Sequence, residues 1–323
     1  MTALFKPGAP LRIGTRASAL AVAQTAATAA HLGDHELVTI SSEGDRSSAP
    51  LASLGGTGVF VSALRDALLA GEVDLVVHSF KDLPTAEADG IRLAAVPKRA
   101  DARDALATRD GVTLARLPLG SRVGTGSPRR RAQLLAARPD LDVVGIRGNV
   151  DSRLGRLYHA DDDRRVDGLV LAAAGLERLG RLGEASELLD IDFWPTAPAQ
   201  GALALEVRTD AADALVERVA SVDHTPTRAA ATAERGVLAR LEAGCSAPIA
   251  ASARLEGSVL TLTATVYAVD GANRLTAAGT EAIDPDAIGM ADLDRAAHAL
   301  ADRVATELLE RGAARLAPLG GVR

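Results

Sequence analysis

The first part of the chain alternates short apolar runs with segments of helical periodicity. The apolar runs predict strands at 11–14, 36–40 and 73–80. Between them, helical patterns predict helices from about Ser18 to His31 and from about Phe60 to Ala70. Strands separated by helices are typical of an α/β domain with a largely parallel sheet.

A second series of the same kind follows. Strands are predicted at 122–124, 141–146 and 166–174, with helices beginning at Pro128 and at about Val150. The polar segment 96–105 and the segment PTAPAQG (195–201) punctuate the pattern and predict two crossings between domains. The strand-like run ALALEVR (202–208) is expected to return to the first sheet.

The last part of the chain has a different order of elements. A long helix from about Thr227 to Ala243 precedes three consecutive strand candidates, at 249–256, 259–269 and 275–283, and a closing helix from about Met290 to Glu310. Consecutive strands without helices between them indicate an antiparallel sheet. We therefore expect a first α/β domain (1–99 with 198–219), a second α/β domain (100–197) and a smaller C-terminal α+β domain (220–323).

Composition and charge exclude several functions. A chain that is 47% hydrophobic and 24% charged is typical of a globular protein, and a net charge of −6 disfavours general binding to nucleic acid or anionic membranes. The N-terminal segment lacks the apolar core of a signal peptide, and no run is long enough to span a bilayer, so we expect a cytoplasmic protein. The single cysteine, Cys245, has no partner for a disulfide and no neighbouring ligands for a metal site.

Arginines stand at a predicted helix start in GTGSPRRRAQ (124–133). Ser127 is a good N-cap residue and Pro128 suits the first helical position, so Arg129 and Arg130 fall in the first turn. That turn carries positive partial charge, which a bound anion would balance. The sequence leaves two interpretations open, an anion site or a solvated arginine-rich helix face.

Other polar side chains follow predicted strands in the same way. Arg147 and Arg153 surround the next helix start, and Arg16 and Ser18 follow the first strand. Ligands collect at the carboxyl ends of strands in such sheets, so we expect a site for a compound with several carboxylates.

Three further features carry possible chemistry. Ser79, Lys81 and Asp82 follow the strand VDLVV, where Asp82 suits stabilisation of a cation or proton transfer, or else belongs to an exposed turn. Cys245 follows a helix end and is expected on a loop, where covalent chemistry is possible. The glycine- and serine-rich stretch 41–58 is a candidate lid, and it lacks the lysine of a phosphate-binding loop.

Eight stretches in order resemble the porphobilinogen deaminase family. They are RIGTRASALA, GTGVF, VHSFKDLP, GTGSPRRRAQ, RGNVDSRL, LAAAGLERLG, PAQGALALE and LEAGCSAPI. The resemblance implies two α/β domains like those of periplasmic binding proteins around a cleft, and a C-terminal α+β domain with a three-stranded antiparallel sheet. It implies a cytoplasmic, monomeric transferase without a metal, which condenses four porphobilinogen molecules into hydroxymethylbilane for tetrapyrrole (heme) biosynthesis.

The same resemblance implies a dipyrromethane cofactor joined to Cys245 by a thioether, with Asp82 as the catalytic carboxylate. Carried over by motif, the residues expected at the cofactor are Lys81, Ser79, Thr125, Ser127, Arg129, Arg130, Arg153, Gln200 and Gly201. Those expected at the substrate are Arg16, Ser18, Arg147 and Arg178.

Two positions depart from the family pattern. Thr57 stands where many members have lysine, and Ala199 where glycine is frequent, which puts a loop contact and the flexibility of a hinge in doubt. Two other functions remain as alternatives. A solute-binding or effector-sensing module for a polycarboxylate would use the same architecture without an adduct on Cys245, and an inactive paralogue would keep the motifs without turnover.

Overall fold

The computed structural model describes residues 9–41, 58–161, 163–243, 247–283 and 289–319. Its strands are β1 (Leu11–Arg16), β2 (His35–Ile40), β3 (Leu75–Ser79), β4 (Ile91–Ala95), β5 (Asp104–Thr108), β6 (Arg122–Thr125), β7 (Asp142–Gly145), β8 (Gly168–Ala172), β9 (Glu187–Leu188), β10 (Leu203–Arg208), β11 (Ile249–Glu256), β12 (Val259–Tyr267) and β13 (Arg274–Ala282). Its α-helices are α1 (Ala19–Ala29), α2 (Gly58–Leu69), α3 (Pro128–Ala137), α4 (Val150–Leu154), α5 (Ala173–Arg178), α6 (Asp213–Ala220), α7 (Thr225–Arg240) and α8 (Met290–Glu310).

The chain divides into two compact units. Unit 1 comprises Met1–Ala100 and Ala202–Arg228, and unit 2 comprises Asp101–Gly201 and Ala229–Arg323. The boundaries of the three domains expected from the sequence stay a prediction.

Unit 1 is built on a five-stranded sheet in the order β2-β1-β3-β10-β4. The first three strands in this order are parallel, and β10 runs antiparallel to both β3 and β4. The return of 202–208 to the first sheet is thereby confirmed. Alternate residues of the central strands, among them Ile13, Leu75 and Leu205, form the apolar core on one face.

Unit 2 repeats this topology with a sheet in the order β7-β6-β8-β5-β9. Here β6, β7 and β8 are parallel, and β5 is the antiparallel strand beside β8. Each sheet takes an antiparallel strand from a predicted crossing or from the residues after it: β5 begins at the end of the crossing predicted at 96–105, and β10 follows the one at 195–201. The sequence did not indicate β4, β5 or β9.

The C-terminal part of unit 2 contains the three-stranded antiparallel sheet β11-β12-β13. Alternate residues of β12 are buried, including Leu260, Leu262 and Ala264, which gives this sheet one apolar face. Helix α8 contributes to the same core with residues three and four apart, such as Leu293, Ala297, Leu300, Val304 and Leu308. The fold class predicted from the sequence, two α/β sheets and a smaller antiparallel one, is confirmed.

Candidate functional site

In unit 1 the predicted site residues gather at one edge of the sheet. Because β1 and β3 are parallel neighbours, their carboxyl ends meet at this edge. Arg16 ends β1, Ser79 ends β3, and a 3-10 turn over Phe80–Asp82 follows directly. Lys81 and Asp82 are half-buried in this turn. The hydroxyl of Ser79 donates to Oε1 of Gln24 at 3.1 Å, which joins the end of β3 to helix α1.

Helix α1 begins at the same edge. Ser18 is its N-cap residue, and its Oγ accepts a hydrogen bond from the amide of Ala21 at 3.3 Å. Thr15 Oγ1 donates to the carbonyl of Ala21 at 3.1 Å and accepts from Thr25 Oγ1 at 2.7 Å. These bonds fix the start of the helix against the end of β1.

In unit 2 the helix start predicted at Ser127 and Pro128 is confirmed. Ser127 caps α3, and its Oγ accepts from the amide of Arg130 at 3.4 Å. Thr125, at the end of β6, accepts from the amide of Ser127 at 3.2 Å. The turn between strand and helix is thus held by two hydroxyl groups that were both predicted as site residues.

The side chains of Arg129 and Arg130 turn inward to a carboxylate that the sequence analysis missed. Asp104 begins β5 and is fully buried, and Arg129 Nη1 donates to its Oδ2 at 2.9 Å. Arg130 donates to Oδ1 from both Nε, at 3.0 Å, and Nη2, at 2.7 Å. Burial alone would raise the pKa of Asp104, but the two guanidinium groups hold it well below its usual range. Burial lowers the pKa of Arg129, which Asp104 partly offsets.

In unit 2, Arg153 lies close enough to Arg130 and Arg147 to be affected by both of their charges. Arg147 follows β7, and Arg153 lies in α4, where its Nε donates to the carbonyl of Gly148 at 2.7 Å. Burial lowers the pKa of Arg153, and the charges of Arg130 and Arg147 lower it further. This group of three is here called the cation cluster.

The last residues of the second predicted crossing contact Asp104, Arg130 and Arg178. Gln200 is fully buried, donates to Asp104 Oδ1 at 2.8 Å and accepts from Arg130 Nη2 at 3.2 Å. The carbonyl of Gly201 accepts from Arg178 Nη2 at 2.7 Å, and burial lowers the pKa of Arg178. The preceding residue, Ala199, has φ of 59°, a left-handed conformation that favours glycine.

Two other buried residues that contact this region were also missed. Trp194 Nε1 donates to Asp104 Oδ2 at 3.0 Å, and the buried carboxylate of Glu234 accepts from the amide of Ala199 at 2.6 Å. A carboxylate opening an otherwise apolar strand was the only local signal for Asp104. Cys245 and the stretch 42–57 lie outside the described residues.

Comparison with known proteins identifies relatives for nearly the whole chain. Residues 11–216 match the family model described as porphobilinogen deaminase, dipyromethane cofactor binding domain, and residues 229–310 match the porphobilinogen deaminase C-terminal domain. A porphobilinogen deaminase of Leifsonia xyli is 57% identical over 97% of this chain and 96% of its own, and one of Thermobifida fusca is 50% identical over 94% of each. A YaeC-family lipoprotein structure from Enterococcus faecalis is 13% identical, covering 66% of this chain and 90% of its own, with a TM-score of 0.36. Among the described helices, none has the length and apolar character needed to cross a membrane.

Proposed function

Because the chain belongs to the porphobilinogen deaminase family, we propose that its unit 2 arginines bind pyrrole carboxylates while Asp82 stabilises the cation formed during condensation. The enzyme is a transferase. It joins four porphobilinogen molecules head to tail, releases ammonia at each addition and gives the linear tetrapyrrole hydroxymethylbilane.

The observation that supports the binding role most is the cation cluster of Arg130, Arg147 and Arg153. Burial lowers the pKa of Arg153 most, and the charges of Arg130 and Arg147 lower it further, a repulsion that a bound anion would relieve. Each pyrrole of substrate and cofactor carries an acetate and a propionate, so anionic groups of the required kind are present throughout the reaction. The dipyrromethane cofactor therefore fits the charge of these residues, and when bound through Cys245 it supplies the free pyrrole carbon to which substrate is added.

The remaining roles divide between substrate and cofactor. Arg16, Ser18, Arg147 and Arg178 bind the carboxylates of substrate, and Lys81, Ser79, Thr125, Ser127, Arg129, Arg130, Arg153, Gln200 and Gly201 form the surroundings of the cofactor. Asp82 sits in a turn at the carboxyl end of β3, half-exposed, where its carboxylate can stabilise positive charge on a pyrrole nitrogen and assist a proton transfer. The same proposal includes a monomer in the cytoplasm that binds no nucleic acid, in keeping with the net charge of −6.

The intact mass of the denatured protein tests this function. We expect an excess equal to two linked pyrrole units in the wild type and in Asp82→Asn, and none in Cys245→Ser. A wild type whose mass stays that of the bare polypeptide after incubation with porphobilinogen would contradict the function and favour a reversible polycarboxylate-binding module.

A further inference from the structure

The carboxylate of Asp104 is saturated by hydrogen-bond donors. It accepts five hydrogen bonds, one from Arg129, two from Arg130 and one each from Trp194 and Gln200. Its side chain has no exposed surface. A buried carboxylate with both oxygens fully occupied can neither reach substrate nor accept a further proton without breaking this arrangement. Its role must therefore act through the groups that it contacts.

The two arginines that share Asp104 differ in what they contact next. Arg129 is 4% exposed, and its Nη1 also donates to Gln133 Oε1 at 2.6 Å and to the carbonyl of Pro195 at 3.1 Å. Its guanidinium is thus surrounded by protein groups. Arg130 is 8% exposed, and it is the member of the pair whose charge reaches the cation cluster.

Asp104 also limits how Arg130 can bind a ligand. The Nε and Nη2 groups point to Asp104 and Gln200, and Nη1 donates to the carbonyl of Val170 at 3.2 Å. Protein acceptors thus hold all three nitrogen groups of Arg130, which fixes the orientation of its guanidinium.

We propose that Asp104 is a positioning residue, which fixes the guanidinium of Arg130 within the cation cluster so that this cluster binds the carboxylates of substrate and cofactor. This inference rests on the binding role proposed above. It has a counterintuitive consequence, because Asp104 is itself an anion beside an anion-binding site. If its charge alone mattered, its removal would strengthen binding; if it positions Arg130, its removal weakens binding.

The test is Asp104→Asn, which keeps the size of the side chain and removes its charge. The matched control is Asp74→Asn. Asp74 is also a buried carboxylate bound to an arginine, accepting from Arg12 Nη2 at 2.6 Å and Nε at 3.2 Å, but it precedes β3 at the opposite end from Ser79. Asp74 pairs with one arginine that is 30% exposed, whereas Asp104 pairs with two buried ones, so the free energy of unfolding of each variant is measured beside its binding.

Two readouts are expected to separate them. In Asp104→Asn the fraction of purified protein that carries the cofactor mass falls below that in Asp74→Asn. The KM for porphobilinogen, measured per loaded enzyme, rises about 10- to 100-fold with kcat within a few fold, as expected when a residue that orients a binding group is lost. Far-UV circular dichroism reports whether each variant is folded, because the emission of the single tryptophan, Trp194, which donates to Asp104, changes with the substitution itself.

Equal loading and equal KM in the two variants, or tighter binding in Asp104→Asn, would overturn the inference. If Asp104→Asn does not fold, Gln200→Met keeps every charge but removes one donor to Asp104, one acceptor from Arg130 and the hydrogen bonds to the carbonyls of residues 102 and 103. An unchanged KM in that variant would overturn the inference as well. A wild type that never acquires the cofactor mass contradicts the proposed function instead, which separates the two failures.

Discussion

Glu234 joins two distant parts of unit 2 through its buried carboxylate. It lies in α7 with no exposed surface, and it accepts from the amide of Ala199 at 2.6 Å and from the amide of Ala253, in β11, at 2.8 Å. One carboxylate oxygen serves each amide. Glu234→Gln keeps an acceptor for only one of them and turns an amide donor toward the other.

The expected loss follows from these two bonds. A hydrogen bond to a charged group contributes roughly 1.5–3 kcal/mol, and a buried donor left without an acceptor costs a further 1–3 kcal/mol or so. We therefore expect Glu234→Gln to lower the free energy of unfolding of unit 2 by about 3 kcal/mol. With a urea slope of about 2 kcal/mol per molar, the unfolding midpoint would fall by roughly 1.5 M.

The measurement is urea unfolding followed by the emission of Trp194, which lies in the same unit as both bonds. Glu256→Gln is the matched control, because it makes the same chemical change on an exposed side chain at the end of β11. Its expected effect is below about 0.5 kcal/mol. A midpoint in Glu234→Gln equal to that of the control would refute the reasoning.

Three further outcomes are expected. Although burial alone would raise the pKa of Glu206, Arg65 and His78 lower it to about 2, from 4.5 in an unfolded chain. This carboxylate therefore contributes up to about 3 kcal/mol above roughly pH 5, which is lost as the pH falls toward 2, and Glu206→Gln should flatten that dependence in circular-dichroism melts. Ala199→Gly should stabilise unit 2 by roughly 0.5–1 kcal/mol in the tryptophan assay, because relief of the left-handed strain exceeds the entropy cost of glycine; a loss of stability would contradict this. Asp82→Asn should lower kcat roughly 10²- to 10⁴-fold while retaining the cofactor mass, and near-normal turnover would remove Asp82 from the catalytic role.

The sequence predicted those parts of the fold whose signals are local. The N-cap pair Ser127 and Pro128 located a helix start, and alternation along 259–267 located a strand with one buried face. The segment Asp104–Thr108 carried no such signal, since its five residues are all buried and show no alternation. Its place beside β8 depends on a partner strand more than 60 residues away, which no local window contains.

Among the site residues, too, those with a local sequence signal were predicted and those without one were not. Residues at strand ends, such as Arg16, Ser79 and Arg147, were found because connectivity alone brings the carboxyl ends of parallel strands to one edge. Asp104 escaped because its partners lie 25, 26, 90 and 96 positions away along the chain. A buried ion pair of this kind has no sequence period.

Asp104 also weakens the inference that Arg129 and Arg130, at the start of a helix, indicate a bound anion. Cations in the first turn of α3 require a balancing anion, and the protein supplies one from β5, so Arg129 and Arg130 alone are weak evidence for a ligand. Two guanidinium groups against one carboxylate still leave a positive charge, and Arg153 lies close enough to Arg130 for that charge to lower its pKa, in addition to the effect of burial. The case for an anion site therefore rests on the positive charge that remains after this pairing. Asp104→Asn increases that charge, which favours anion binding, but it also releases Arg130 from its fixed orientation, which disfavours binding.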